Sequence, residues 1–289
     1  MTPFDAQRLR AWNIPDVSRT FTSRDTILYA LGVGLGADPC SADELRFVYE
    51  DRLQALPSFG TVLAYPFLWY AEPGTGVDLA HVVQAEMGFE NHATLPVEGS
   101  VVGRTRVTAV QDKGADVGAL LVTSCEVSHI GSHAPICTLY SSSLARSHGG
   151  FEQQLPKSVK VPQPDERSPD ATCDIPTLPQ AALIYRLSGD ANPLHADPAQ
   201  ARLAGFPRPL LHGRCTFAVA AWALLRLCCG YDPRRLLRMR ARFSSPVYPG
   251  EIIRTEVWQD GPSVRFRALV PARGVVVLSH GTAGVAQQG

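Results

Sequence analysis

The chain has 289 residues, 45% of them hydrophobic and 19% charged, a composition that buries a core and excludes a disordered chain. Lysine plus arginine equals aspartate plus glutamate at 27 each, so no global field draws in nucleic acid or an anionic membrane surface. Any anionic ligand must therefore be held by a local basic patch, and domains of ~100–150 residues leave one large or two ordinary units open.

Residues 1–20 interleave Asp5, Arg8, Arg10, Asp16 and Arg19 with apolar positions, which is not the core of a signal peptide. Ser23-Arg24-Asp25-Thr26 ahead of Ile27-Leu28-Tyr29-Ala30-Leu31 predicts a capped helix ending between Gly32 and Gly36. Residues 100–112, 118–130 and 134–145 are rich in valine, threonine, isoleucine and tyrosine. With turn residues between them, they predict an antiparallel meander.

From 147 to 180 the periodicity lapses and six prolines accumulate, at 156, 162, 164, 169, 176 and 179, which predicts a linker between two halves. Beyond it, residues 178–187 are a helix or an extended piece, Asn192-Pro193 a turn, and 198–204 a short helix. Residues 213–227 are apolar almost all round, with Phe217, Ala218, Ala220, Ala221, Ala223, Leu224 and Leu227, which predicts a buried helix. Strands are expected at 237–243, 252–259, 264–269 and 274–278. The whole is a buried helix wrapped by antiparallel sheet.

The seven cysteines, at 40, 125, 137, 173, 215, 228 and 229, have neither metal-ligand nor disulfide-framework spacing. Reduced thiols, no window of ~18 apolar residues, and a carboxyl end without a peroxisomal Ser-Lys-Leu point to a cytoplasmic location and no membrane span.

Chemistry concentrates in Tyr185-Arg186-Leu187-Ser188-Gly189-Asp190-Ala191-Asn192-Pro193-Leu194-His195. Gly189 and Pro193 argue for a turn, which can converge a carboxylate, an amide and an imidazole on one water. The same residues also suit plain turn-making, with His195 satisfying a loop carbonyl. Gly213 stands where the buried helix starts, and free N–H groups at such a helix end, with no side chain in the way, suit a developing oxyanion. The competing reading is a tight turn after His212.

This run, followed by Ala201, resembles the signature of the MaoC-like (R)-specific enoyl-CoA hydratases. The likeness extends to Leu203-Ala204-Gly205-Phe206, Leu211-His212-Gly213-Arg214-Cys215-Thr216-Phe217 and Arg242-Phe243-Ser244-Ser245-Pro246-Val247-Tyr248-Pro249-Gly250. All of these are similar to the hydratase module of the peroxisomal multifunctional enzymes of β-oxidation. Residues 25–34, 47–50 and 56–60 resemble the same module. The resemblance implies an α+β double hotdog, with two antiparallel sheets side by side. Residues 1–150 would form a non-catalytic unit on the acyl-chain side, 151–177 a linker, and 178–289 the unit that keeps the central helix and the catalytic motif.

The activity so implied is reversible syn hydration of trans-2-enoyl-CoA. Asp190 and His195 would be the catalytic pair, Asn192 would orient the water, and Gly213 would face the thioester oxygen. His212, Glu50, Arg208, Arg240 and Arg242 are candidate substrate or coenzyme A contacts. No metal and no cofactor beyond the thioester substrate are expected, nor any nucleic-acid partner, and homodimerisation is usual for such proteins. A hotdog thioesterase and a non-catalytic acyl-CoA-binding subunit are the rival readings. Where the family often has His-Gly-Glu-Gln, this chain has Gln84-Ala85-Glu86-Met87.

Overall fold

The computed structural model describes residues 2–151 and 167–287. Its first helices are α1 (Ala6–Arg10), α2 (Ser23–Val33), α3 (Ala42–Val48) and α4 (Gly60–Leu63). The strands of the first half are β1 (Val17–Phe21), β2 (Val82–Asn91), β3 (Gly99–Asp112), β4 (Ala119–His129) and β5 (Pro135–Ala145). The predicted capped helix is α2: Asp25 Oδ2 accepts from the Thr22 N–H at 2.8 Å and from its hydroxyl at 2.9 Å, which satisfies an end left open by the helix itself. It stops at Gly34, whose φ of 118° is left-handed and suits glycine.

The second half contributes β6 (Ala171–Pro176), α5 (Ala181–Tyr185), α6 (Pro198–Leu203) and α7 (Gly213–Cys229), then β7 (Leu236–Phe243), β8 (Ile252–Asp260), β9 (Ser263–Val270) and β10 (Val275–Val285). One correction concerns the linker. Residues 171–176 of the expected 151–177 are a strand, β6, paired with β8 from Ala171↔Val257 to Pro176↔Ile252. Pro176 closes the strand at the sheet edge, where a missing N–H costs nothing. Residues 152–166 of that expectation lie outside the described residues.

All strand pairings are antiparallel, in the order β1-β3-β4-β5-β2-β7-β10-β9-β8-β6. Each half supplies five strands, and the two expected sheets run into one another where β2 pairs β7, from Glu86↔Arg242 to Glu90↔Arg238. Strand β7 alternates strictly at this junction: Met239 and Ala241 are buried while Arg238, Arg240 and Arg242 face outward. Period-two alternation therefore separates core from solvent here.

Helix α7 lies in the wrap of the second half, packed on β6, β7, β8 and β10, and every residue from Arg214 to Leu225 is buried. Its large side chains, Phe217, Trp222, Leu224 and Leu225, each contribute about 1.5–3 kcal/mol by leaving water. Among the described residues, the first half has no equivalent. Its sheet is covered partly by the four residues of α4, and Gly103 of β3 meets the Ala64 carbonyl so closely that a Cβ there would sit 1.9 Å from the oxygen.

Candidate active site

Three pieces of chain meet at the amino end of α7. The first is α5 with the 3-10 turn Arg186–Ser188. It ends on Gly189, whose φ of 127° reverses the chain and whose missing Cβ would lie 3.2 Å from Phe67 Cε2. That turn delivers Asp190. The second piece is the 3-10 turn Pro193–His195, opened by Asn192, whose side-chain oxygen accepts from the Leu194 N–H at 3.0 Å. Proline fixes the first position of this turn, and His195 is carried at its end. The third is the loop before α7, which brings in Leu210, His212 and Gly213.

Hydrogen bonds fix the tautomers. His195 Nδ1 is 3.0 Å from the Leu210 carbonyl oxygen; a carbonyl only accepts, so Nδ1 carries the proton and Nε2 keeps its lone pair. His212 Nε2 likewise donates to the Asp190 carbonyl at 3.1 Å. His212 is fully buried, and its Nδ1 has no partner. The two rings stack with centroids 3.8 Å apart, and Tyr185 closes the other side of His212 at 5.1 Å.

Burial pushes the His195 imidazole below its ordinary 6.5, against the opposing pull of the Asp190 carboxylate and the Leu210 carbonyl. The same cause, reinforced by His195 beside it, takes His212 down to about 4. Both rings are neutral near pH 7. The Asp190 carboxylate, His195 and His212 each present one ligand atom within 4.8 Å of the others, a gap that one water spans, since a hydrogen bond takes ~2.6–3.2 Å.

Of the residues singled out in the sequence, Asp190, Asn192, His195, His212 and Gly213 thus converge. Asn192 acts first as a turn residue: its N–H approaches Asp190 Oδ1 at 3.3 Å and its own oxygen caps the next turn. Gly213 is the first helical residue, and a Cβ on it would meet Phe243 Cε1 at 3.2 Å. The N–H groups of this first turn have no acceptor within the helix.

The remaining candidates lie elsewhere. Glu50 is exposed just beyond α3; the buried carboxylate of that region is Glu44, which accepts from the Gly36 N–H at 2.9 Å. Arg240 and Arg242 are on the outer face of β7, opposite the face that covers α7, and line a cleft of about 240 Å³ with Glu86 and Tyr140. Arg242 is held there by Glu86 at 2.7 Å and Arg240 lies 4.0 Å over the Tyr140 ring. The expectation that these arginines border the catalytic groove is corrected by strand alternation, which turns even-numbered positions of β7 away from it. Arg208 is exposed on the loop leading to Leu210, 4.9 Å over Tyr248.

Sequence reasoning gave Arg214 no role. Arg214 is buried, donates to the Thr61 carbonyl at 3.1 Å, and lies 4.2 Å over Tyr65 and 5.0 Å over Phe67. The signal was an arginine in the first turn of a largely apolar helix, whose other arginine, Arg226, lies in its last turn. The stretch 65–70 divides: Tyr65 and Trp69 are buried, Leu68 is exposed, and Phe67 reaches the catalytic turn.

Comparison with known proteins bears on the family and the fold. Residues 20–147 match the MFE-2 hydratase 2 N-terminal domain and residues 160–279 the MaoC like domain. The chain is 35% identical over 295 residues to the Arabidopsis thaliana protein named Enoyl-CoA hydratase 2, peroxisomal, covering 96% of this chain and 94% of that one. The crystal structure of a MaoC-like dehydratase from Phytophthora capsici superposes with a TM-score of 0.84 at 33% identity, covering 98% and 99% of the two chains. A Mycobacterium tuberculosis protein described as a double hotdog fold shares the architecture at 14% identity, with a TM-score of 0.55 over 100% of this chain and 97% of that one. The two family matches, the 35% identity over nearly the whole of both chains and the shared architecture place the chain in the MaoC-like enoyl-CoA hydratase 2 family, with a double hotdog fold.

Proposed function

We propose that the chain adds water reversibly across trans-2-enoyl-CoA to give (R)-3-hydroxyacyl-CoA, with Asp190 and His195 as the catalytic pair. The observation that carries this reading is the His195 Nδ1 bond to Leu210, which leaves Nε2 with its lone pair on a ring that brings a nitrogen within 4.8 Å of the Asp190 carboxylate. A water held between them loses one proton to the pair as its oxygen bonds the β-carbon. Charge gathers on the thioester oxygen, which the Gly213 N–H meets at the amino end of α7. The pair then returns the proton to the α-carbon on the same face, so the addition is syn and atoms balance. Asn192 keeps its amide N–H₂ for the water, its oxygen being committed to the turn.

No metal or other cofactor enters this scheme. Lone pairs lie in the ring plane, and planes inclined by 29° at 3.8 Å meet far beyond the ~2.0–2.1 Å of a metal–nitrogen bond, so the two histidines do not suit one ion. Arg208, beside Tyr248 on the loop that ends at the site, is the proposed contact for a coenzyme A phosphate. A homodimer is the proposed assembly. Seven free cysteines support a reducing, cytoplasmic location, although the Arabidopsis relative is named peroxisomal. No helix among the described residues is long and apolar enough to cross a membrane.

The test is direct: loss of enoyl-thioester absorbance with crotonyl- and longer enoyl-CoAs, with chiral analysis of the product. Asp190→Asn and His195→Gln are each expected to lower turnover by roughly 10²–10⁴, as for acid–base groups generally. Full activity in both folded variants would remove them from the mechanism. Release of free coenzyme A thiol instead would make the protein a thioesterase.

A further inference from the structure

Arg214 is the second residue of α7 and keeps only 6% of its surface exposed. A buried cation is ordinarily matched by a carboxylate, yet among the described residues Arg214 has none. One carbonyl, that of Thr61, and the faces of Tyr65 and Phe67 are its partners, which engages one of five N–H donors in a hydrogen bond. Its position adds to the imbalance, because the amino end of a helix already carries partial positive charge. The guanidinium is thus a concentrated, uncompensated positive site inside the protein, one residue past the glycine that faces the thioester.

Beyond Tyr65 the wall is oxygen-rich where a purely hydrocarbon acyl chain calls for hydrocarbon. Tyr65 and Thr123 bring their hydroxyls within 3.2 Å of each other. The Thr123 hydroxyl donates on to the Ser141 carbonyl at 3.4 Å, and Gln84 Nε2 donates to the Ser141 hydroxyl at 3.4 Å. All of these come from the half that lacks a central helix. Phe67 joins this wall to the catalytic turn by its contact with Gly189.

We propose that Arg214 reads a carboxylate carried on the acyl chain. The preferred substrate is then a trans-2-enoyl-CoA that ends in a second carboxylate rather than a methyl group, with that carboxylate against the guanidinium and the polar wall. The proposal rests on the hydratase reading above, and names the substrate class for the same site.

The experiment compares kcat/KM for hexenoyl- and octenoyl-CoA with the same chains ending in a carboxylate, and with the methyl esters of those acids. Wild-type protein is expected to favour the acids over both neutral forms by about tenfold or more, the discrimination a charge-assisted pair supplies, and Arg214→Met to erase that ratio. Acids, esters and methyl-ended chains used equally well by the wild type would overturn the proposal. So would a preference that survives in Arg214→Met. The ester comparison needs no variant, so the result does not hang on whether Arg214→Met folds. Turnover of neutral chains without preference defeats this proposal alone. No hydration of any enoyl-CoA by folded protein defeats the hydratase reading, and this one with it.

Discussion

His195 and His212 stack face to face, with ring centroids 3.8 Å apart and planes 29° from parallel. Burial favours the neutral form of both rings, and the neighbouring His195 ring lowers His212 further. His195 is thereby held as a base and His212 as a fixed donor to the Asp190 carbonyl.

A pH dependence follows with a definite sign. His195 titrates below 6.5 and His212 at about 4, so the working, neutral state persists down through pH 6.5. The acidic limb of kcat/KM is expected below the ordinary histidine value, and His195→Gln is expected to remove it. For stability, the unfolded histidines titrate near 6.5 and the folded ones lower. The unfolded chain therefore binds more protons in that interval, and the neutral rings' contribution is complete above about pH 6.5 and is lost as pH falls through the folded values. Urea midpoints between pH 4 and 7 that rise on acidification would contradict this.

His212→Phe separates positioning from packing. The phenyl ring keeps the stack with His195 and Tyr185 but withdraws the N–H that the Asp190 carbonyl now accepts. An unpaired buried carbonyl costs about 1–3 kcal/mol, readable in denaturant titration. The turn bearing Asp190 loses its anchor, and a misplacement of ~1 Å is worth up to about 10² in rate. The expected signature is a fall in kcat with KM little changed. A variant that loses stability at unchanged kcat would make His212 a packing residue only.

Gly213→Ala tests the helix end. The new Cβ would stand 3.2 Å from Phe243 Cε1, a contact relieved by a small ring shift. The fold should therefore survive while the thioester oxygen is kept from the backbone N–H. Turnover is expected to fall, by less than the roughly 10²–10³ that follows complete loss of an oxyanion donor. Unchanged kcat in a folded Gly213→Ala would move the oxyanion site away from this N–H.

Much of this was legible in the residues, and the parts that were not share physical reasons. Helices α2 and α7 and strands β3, β4, β5, β7, β8 and β9 carry plain periodicity or caps. Strand β2 was hidden because its outward positions, Glu86, Gly88 and Glu90, interrupt the apolar run; they are spoken for by pairing with Arg242, Arg240 and Arg238 across the junction. Strand β6 was masked by the prolines around it. In the site, Asp190, His195 and Gly213 are near one another in sequence and readable as a motif. Arg214 meets Thr61 from 153 residues away, a contact that no local pattern encodes.

The missing central helix of the first half yields a last prediction. Where α4 and the residues after it cover that sheet, Ala64 lies directly on β3, and a Cβ at Gly103 would come within 1.9 Å of the Ala64 carbonyl oxygen and 3.0 Å of its Cβ. Neither atom belongs to a flexible side chain, so the backbone itself must move. Gly103→Ala is expected to destabilise the protein by about 1–3 kcal/mol, the usual cost of overpacking. It should also raise KM for long acyl chains more than for crotonyl-CoA, since the displaced segment leads into Tyr65 and Phe67, the rings that cover Arg214. Thermal melting and a chain-length series on the same preparation read both effects, and a stable variant with wild-type KM at every length would show that this close approach positions nothing.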